Sequence, residues 1–309
     1  MDEQRTVPFA NYPYEREWGD SNRITREYFD SLLLEMRHLD GRKPDTAFTL
    51  YGENFATPIM TAALSHLDHI RENGMAEMAK GASMAGAVNW AGMGDEEELA
   101  EITKTGAKTI KLIKPYADNN LIYEKIAAAQ KCSVLAVGMD IDHAFDSRGE
   151  YDRVRGYEMK PKSMEEIREF VRASSVPFVI KGVLSERDAY KALEAGAQGI
   201  VVSHHHGIMN YAVPPLMILP DILKVTAGQI PVFADCGITT GADVFKALAL
   251  GATAVCAGRV LLKFLEKEGG EGVCRGIEQM NDELKGIMAK TGCCDLSHMD
   301  KTVIRRKFG

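Results

Sequence analysis

Four short apolar runs of the sequence end in side chains that can do acid–base or electrostatic chemistry. Asp140, Lys181 and Asp235 end three of these runs, and Ser203 with three following histidines ends the fourth. In a barrel of parallel strands the carboxyl ends meet at one rim, so these groups should lie together. A carboxylate beside an imidazole makes a general base of defined tautomer, and a buried ammonium requires an anion. Capping roles for the two aspartates, and a Lys181 that reaches solvent, are the structural alternatives.

Two glycine turns predict a binding place for a phosphate. Asp235 is followed by Cys236 and Gly237, and the last apolar run is followed by Gly258 and Arg259. Each turn stands at the start of a helical stretch, where small residues let backbone amides approach an anion and an arginine adds a charged fork. The two turns together, after the last two strands, are typical of phosphate sites in barrels.

The three consecutive histidines do not form a metal-binding pattern. In an extended stretch His204 and His206 would point one way and His205 the other, and no carboxylate accompanies them in the run. The six cysteines are scattered and read as reduced thiols. We therefore expect no metal, and interpret one histidine, paired with Asp140, as a general base.

The elements that carry these residues alternate along the chain in the manner of βα units. Runs that predict strands lie at 58–62, 87–90, 109–113, 134–139, 177–181, 199–203, 231–235 and 254–257. Helical patterns lie at 74–85, 96–105, 121–130, 164–173, 186–194, 216–225 and 242–250, and a last helical region, broken near Gly269, extends to about Lys290. Eight strands without a composition break favour a (β/α)8 barrel, of class α/β, over an open doubly wound sheet.

The predicted organisation is a leader followed by one barrel. Residues 1–50 are polar and aromatic, with a helix predicted from about Thr25 to His38, and should pack outside the barrel. Residues 51–309 should form the barrel with a C-terminal helical cap.

The rim motifs resemble those of the FMN-dependent 2-hydroxy-acid oxidases and dehydrogenases, such as glycolate oxidase and lactate oxidase. The shared runs are VIKGV at 179–183, IVVSHH at 200–205, PVFADCG at 231–237, DVFKALALGA at 243–252 and GR at 258–259. The resemblance extends from about residue 28 to 301 and is strongest after Lys160. It implies a (β/α)8 barrel that binds FMN, and a homo-oligomer, either tetramer or octamer.

The resemblance also implies roles for individual residues. His205 would be the catalytic base, oriented by Asp140, and Lys181 would stabilise the negative charge of the reduced flavin. Ser203 would contact the cofactor and Asp235 the ribityl hydroxyls. The phosphate would be held by Gly237, Gly258 and Arg259, and the flavin ring would lie against Ala63, Leu64 and Ser65, with Lys111 and Trp90 near the site.

One departure from the family concerns the substrate. The family's substrate-binding arginine corresponds to Ile208, and Arg148 is the remaining nearby arginine for a substrate carboxylate. Loss of such a charged pair costs on the order of 3–5 kcal/mol. Trp90, Arg148 and Ile208 are thus the predicted substrate contacts, and a simple 2-hydroxy acid is not the expected substrate.

Charge and composition restrict the partners. A formal net charge of -7 gives no broad cationic field, which argues against nucleic acid and anionic membranes. The sequence has neither a basic-then-apolar start nor an apolar run of about 20 residues. We expect a cytoplasmic protein that acts on a small-molecule substrate.

The leading functional hypothesis is hydride transfer from a hydroxy-acid-like or alcohol substrate to FMN. Three alternatives remain open from sequence. They are an FMN-dependent isomerase of the type-2 isopentenyl-diphosphate isomerase kind, a flavin-binding protein with a decayed active site, and a non-flavin barrel that binds a sugar phosphate.

Overall fold

The protein folds into a closed barrel of eight parallel strands. The computed structural model describes residues 19–307, and the start of the predicted leader, residues 1–18, lies outside that range. We number the barrel strands β1 (Ile59–Thr61), β2 (Asn89–Ala91), β3 (Thr109–Ile113), β4 (Ala136–Asp140), β5 (Phe178–Val183), β6 (Ile200–Val202), β7 (Val232–Ala234) and β8 (Ala254–Ala257).

Neighbouring strands pair in chain order, and β8 pairs with β1. Between β1 and β2 the Thr61 amide donates to the Val88 carbonyl at 3.1 Å, and Leu64 bridges to Ala91. These contacts complete the ring, so the prediction of a (β/α)8 barrel is confirmed and the open-sheet alternative is wrong.

A helix follows each strand and packs outside the barrel. The helices are α1 (Gly74–Met84), α2 (Glu96–Lys104), α3 (Asn119–Lys131), α4 (Met164–Ala173), α5 (Glu186–Glu194), α6 (Pro215–Thr226), α7 (Gly241–Ala249) and α8 (Leu262–Thr291). Side chains that accept from the first-turn amides define several starts: Ser163 and Thr240 each form a capping box at α4 and α7. Helix α8 is interrupted at Glu268 and Gly269, where the sequence pattern predicted a break.

Two apolar clusters form the core. One fills the barrel interior, where the Trp90 and Phe233 rings meet edge to face at 5.7 Å between centroids. The other lies between the strands and the helices. A hairpin of Phe48–Leu50 and Glu53–Phe55 adds Leu50 and Phe55 to the interior cluster. The predicted boundary between residues 50 and 51 falls inside this hairpin.

The leader consists of a helix and a short strand. The leader helix is Ser21–Ser31, and the strand Leu32–Leu34 then pairs antiparallel with Ile304–Arg306 near the other end of the chain. The predicted continuation of the helix to His38 is therefore wrong, because the three leucines form a strand ladder with a distant segment. Within residues 19–307 no helix is both long and apolar enough to cross a membrane.

Candidate active site

Two strand ends place a buried carboxylate beside two buried ammonium groups. Asp140, the last residue of β4, lies with its Oδ1 atom 3.2 Å from the Lys181 Nζ atom on β5. Its Oδ2 atom accepts from the Lys114 Nζ atom at 2.9 Å, just beyond β3. Lys181 also lies 3.7 Å from the Asp235 Oδ2 atom at the end of β7. Asp140, Lys181 and Asp235 thus lie together, as expected if the carboxyl ends of the strands meet at one rim.

Each of these buried groups stabilises the charged form of its neighbours, although burial disfavours it. Burial alone would raise the pKa of Asp140, but the ammonium groups of Lys181 and Lys114 outweigh that effect and hold this pKa well below its ordinary value. Likewise, burial opposes the charge of Lys181, but Asp140, Asp235 and Asp142 raise its pKa well above the ordinary value. Both groups are therefore ionised at neutral pH.

The histidine run leaves the strand and turns sharply. Strand β6 ends at Val202, and His205 and His206 adopt left-handed backbone with φ of 48° and 58°. The extended geometry predicted for this run is wrong, but the three rings do face different partners. The His204 Nε2 atom lies 2.8 Å from the Thr25 hydroxyl of the leader helix, and the His206 Nδ1 atom lies 2.5 Å from the Asn22 Oδ1 atom.

Of the three histidines in the run, only His205 faces the charged groups of the rim. Its Nδ1 atom lies 2.9 Å from the Asp142 Oδ1 atom and 3.3 Å from the Lys181 Nζ atom, whereas the Asp140 Oδ1 atom is 3.9 Å away. On the other side of the ring, the His205 Nε2 atom lies 3.2 Å from the His143 Nε2 atom. The carboxylate closest to His205 is thus Asp142, and not Asp140 as the sequence predicted.

A bulge in β5 makes room for Asp142. The pairing of β5 with β6 shifts between Lys181 and Val183, and Gly182 between them has φ of 93°. A Cβ atom on Gly182 would lie 2.5 Å from the Asp142 Oδ2 atom. The glycine therefore lets the carboxylate approach the strand end, beside His205.

The predicted phosphate turns lie next to each other at β7 and β8. Gly237 has φ of 85°, and a Cβ atom there would come within 2.9 Å of the Thr25 side chain. Gly258 has φ of -105° and ψ of -107° and precedes a short 3-10 turn, Arg259–Leu261. Cys236 donates to the Asp235 Oδ1 atom at 3.0 Å, and the Ser203 hydroxyl lies 3.7 Å from the same sulfur. Buried polar groups and two glycine turns, adjacent on one rim, fit a ligand with hydroxyls and a phosphate.

The β1 to β3 side supplies a backbone surface and one more buried lysine. The segment after β1 carries Ala63, Leu64 and Ser65, and a Cβ atom on Gly92 after β2 would meet the Ser65 hydroxyl at 2.3 Å. The Lys111 ammonium donates to the Gly92 carbonyl oxygen, and burial lowers its pKa to about 8. This side is therefore tightly packed, as expected for a surface that contacts a flat ring.

The structure does not bring the three predicted substrate contacts together. Trp90 is 1% exposed and lies in the barrel interior, packed on Phe233 rather than at the rim. The Arg148 side chain is 82% exposed and pairs with Asp146. Ile208, on the loop after β6, is 41% exposed. Trp90 and Arg148 therefore lie away from the charged rim, one enclosed by the core and the other extended into solvent, and substrate contact by either residue stays a prediction.

Sequence reasoning missed three residues of the site. Lys114 follows an apolar strand directly, which is the same signal that identified Lys181. Asp142 and His143 belong to a short 3-10 turn, Ile141–His143, whose position no sequence pattern indicates.

Comparison with known proteins identifies the family. The model of the family described as FMN-dependent dehydrogenase matches residues 6–171 and 162–306. The chain belongs to this family. It is an FMN-dependent oxidoreductase, and the cofactor that the rim residues would hold is FMN.

Curated relatives and solved structures agree with this assignment for the FMN-dependent dehydrogenase. Glycolate oxidase 3 of Arabidopsis thaliana is 29% identical over 91% of this chain and 86% of its own length, and glycolate oxidase of Spinacia oleracea is 29% identical over 90% and 86%. A mandelate oxidase structure with a monooxide FMN adduct superposes with a TM-score of 0.85 at 27% identity, covering 94% of this chain and 92% of the other. These relatives are hydroxy-acid oxidases by name, which supports an enzyme of that kind.

Proposed function

We propose that the protein oxidises a small hydroxy-acid-like or alcohol substrate, with His205 as the general base. The observation that carries this proposal is the position of His205: it is the histidine of the run that faces Asp142, Asp140 and Lys181. Bound FMN supplies the hydride acceptor, at flavin N5. The protein's own task is to bind the substrate, take its hydroxyl proton and keep the charges of the rim in place.

Asp142 is proposed to orient His205. A carboxylate only accepts, so it fixes a proton on the His205 Nδ1 atom and leaves the lone pair on Nε2. The charge that His205 gains with the substrate proton is then stabilised by a carboxylate 2.9 Å away. Asp140, held between Lys181 and Lys114, is proposed to keep the two ammonium groups buried and fixed.

Lys181 is proposed to set the electrostatics of the cofactor site. Its ammonium is buried at the end of β5 and is fixed by carboxylates on both sides. A fixed positive charge in such surroundings favours negative charge on any group bound beside it, without reorganisation during the reaction.

The decisive experiment compares His205→Ala with the unaltered protein under anaerobic conditions. We expect substrate to bleach the yellow colour of the unaltered protein, and the His205→Ala variant to bind FMN normally but to be reduced at least about 100-fold more slowly. An unchanged reduction rate in the variant would contradict the role of His205. Turnover that requires prior chemical reduction of the flavin would instead favour the isomerase alternative.

The substrate class needs a separate comparison because Ile208 is apolar. A panel that pairs each 2-hydroxy acid with the alcohol lacking its carboxylate would measure the value of that carboxylate. We expect the pairs to differ in kcat/KM by less than about 10-fold. A preference of more than about 100-fold for the acids would show that another cation binds the substrate carboxylate in place of the family's arginine.

A further inference from the structure

Two imidazole rings in the rim face each other through the same type of nitrogen. The His143 Nε2 and His205 Nε2 atoms lie 3.2 Å apart, and the rings meet edge to face with centroids 4.2 Å apart. His143 is partly buried and was not among the predicted site residues. A contact between two such nitrogens needs an explanation, since two neutral rings must orient a donor toward an acceptor to form it.

The carboxylates behind the rings do not leave such a donor. The His143 Nδ1 atom lies 3.2 Å from the Asp152 Oδ2 atom, and the His205 Nδ1 atom lies 2.9 Å from the Asp142 Oδ1 atom. Because carboxylates accept, both Nδ1 atoms carry their proton, and both Nε2 atoms then present lone pairs. The Lys181 Nζ atom is farther from His205, at 3.3 Å, and also faces Asp140. Two lone pairs at this distance repel unless a cation lies between them.

The geometry points to a site for a divalent transition-metal ion of the zinc class, formed by His143, His205 and Asp142. Each of these residues offers one ligand atom within 4.8 Å of the others. Tetrahedral zinc with bonds of about 2.0–2.1 Å places two nitrogen ligands roughly 3.3 Å apart, close to the separation of the two Nε2 atoms. Three protein ligands leave one position open, as in zinc sites that also bind a small molecule.

The surroundings match the second shell of a metal site. A metal-bound histidine commonly donates its other N–H to a carboxylate, which fixes the ring and strengthens the ligand. His143 has Asp152 in that position. Asp142 contacts the His205 Nδ1 atom through Oδ1, and its Oδ2 atom is buried without a hydrogen-bond partner, so the same carboxylate still offers an oxygen to an ion. Both rings are therefore already oriented for binding through Nε2.

The local charge also favours a doubly charged cation. Four carboxylates, those of Asp140, Asp142, Asp152 and Asp235, lie around the histidine pair or its immediate partners. Two ammonium groups, Lys114 and Lys181, are in contact with them. With neutral imidazoles, these four carboxylates and two ammonium groups sum to a charge of minus two, which a divalent ion neutralises.

The expected consequence of metal binding is reversible inhibition, and that part of the inference depends on the proposed function. An ion on the Nε2 atom of His205 occupies the lone pair that would take the substrate proton. The binding site itself depends only on the geometry of the three residues.

The test uses the FMN-loaded protein with zinc as ligand and cobalt as spectroscopic probe. A second cluster, Cys294, Asp295 and His298, also holds three potential ligands, of which His298 is exposed and the other two are half-buried. All measurements are therefore made in a His298→Gln background, which serves as the matched histidine control. We expect calorimetry to show one zinc ion bound in this background, cobalt to give tetrahedral bands beyond the flavin absorption, and zinc to inhibit turnover over the same concentration range.

Two variants identify the ligands. His143→Gln should weaken zinc binding by more than about 100-fold, and Asp152→Asn, which removes the carboxylate behind the ring, by about 10- to 100-fold. Equal zinc affinity in His143→Gln and its background would overturn the inference, as would the absence of both binding and inhibition. If neither zinc binding nor inhibition is seen, a proton shared between the two Nε2 atoms would explain their contact. Zinc binding that is lost in His143→Gln, in a protein without turnover on any substrate, would contradict the proposed function and leave the metal site standing.

Discussion

At the scale of single residues, the site gives different contacts to two carboxylates, of which the sequence indicated only Asp140. Asp140 contacts two buried ammonium groups, whereas Asp142 contacts the imidazole. The first arrangement is a structural ion-pair cluster, and the second is the geometry of an oriented base. Substitution by asparagine keeps the size of both side chains, removes the charge and replaces one accepting oxygen by a donating NH2 group.

We expect Asp140→Asn and Asp142→Asn to differ in stability and in rate. Asp140→Asn leaves Lys181 and Lys114 without their shared counter-charge, so the free energy of unfolding should fall by on the order of 3–5 kcal/mol. Asp142→Asn should cost much less stability but lower the rate of flavin reduction about 100-fold. Urea unfolding and anaerobic stopped-flow kinetics measure the two effects. Equal stability losses, or a normal reduction rate in Asp142→Asn, would contradict this division.

The buried charge of Lys111 predicts a pH-dependent stability. Its pKa in the folded protein is about 8, below the value of 10.5 expected in the unfolded chain. Between these values the unfolded chain binds more protons, so the free energy of unfolding rises with pH. The penalty for burying the ammonium is fully present below about pH 8 and is relieved as pH rises toward about 10.

The matching experiment follows flavin-free protein by urea unfolding from about pH 7 to about pH 10. Relative to Lys111→Met, the unaltered protein should gain up to about 3 kcal/mol across this range. Lys108→Met, at an exposed lysine paired with Glu53, keeps Lys111, so this control variant should show the same gain relative to Lys111→Met. A difference between Lys111→Met and the unaltered protein that does not change with pH would refute the expectation.

At the scale of elements, the bulge in β5 connects the barrel to the position of the base. Gly182→Ala should cost stability twice, through the backbone strain of a positive φ and through the displacement of Asp142, and should also slow flavin reduction. Gly228→Ala is the matched control, because Gly228 has φ of 74° and no atom lies within 4 Å of a Cβ there. We expect about 1 kcal/mol of destabilisation and an unchanged rate for the control, and at least about 1 kcal/mol more for Gly182→Ala. Equal behaviour of the two variants would show that Asp142 does not depend on the bulge.

The elements also show how far sequence reasoning can reach. Strands β3 and β8 have the predicted bounds: β8 is an uninterrupted apolar run, and β3 is apolar apart from Thr109 and Lys111. The hairpin of Phe48–Leu50 and Glu53–Phe55 was missed, since its aromatic residues alternate with polar ones and only the barrel interior shows which face is buried. In the site, the residues at strand ends were predictable. Asp142 and His143 were not, because a short turn and a bulge in another strand determine their positions.

At the scale of the whole molecule, the leader helix packs against the rim that is proposed to bind the cofactor. Thr25 contacts both His204 and the position of Gly237, and the Arg26 guanidinium makes two hydrogen bonds to the buried Asp243 carboxylate at the start of α7. Burial would raise the pKa of Asp243, but its bonds to Arg26 and Thr239 lower it below the ordinary value. The leader therefore helps to position the turn that is predicted to bind the phosphate.

Arg26→Met should accordingly affect both folding and cofactor binding. We expect a loss of about 1–2 kcal/mol in the free energy of unfolding, reduced because the arginine is partly exposed, and a weaker affinity for FMN. Arg23→Met, which breaks an exposed pair with Glu27, should cost no more than about 0.5 kcal/mol and leave FMN affinity unchanged. Urea unfolding and flavin fluorescence on dissociation measure both quantities. An Arg26→Met variant with unchanged FMN affinity would mean that the leader is dispensable for the phosphate turn.

The pairing of Leu32–Leu34 with Ile304–Arg306 has a consequence for biosynthesis. Leu32–Leu34 is synthesised before the barrel strands, but its ladder partner is synthesised after all eight of them. Until that partner is available, the ladder cannot hold the leader helix in place beside Gly237. We therefore expect newly made chains to acquire their flavin only after Ile304–Arg306 has left the ribosome.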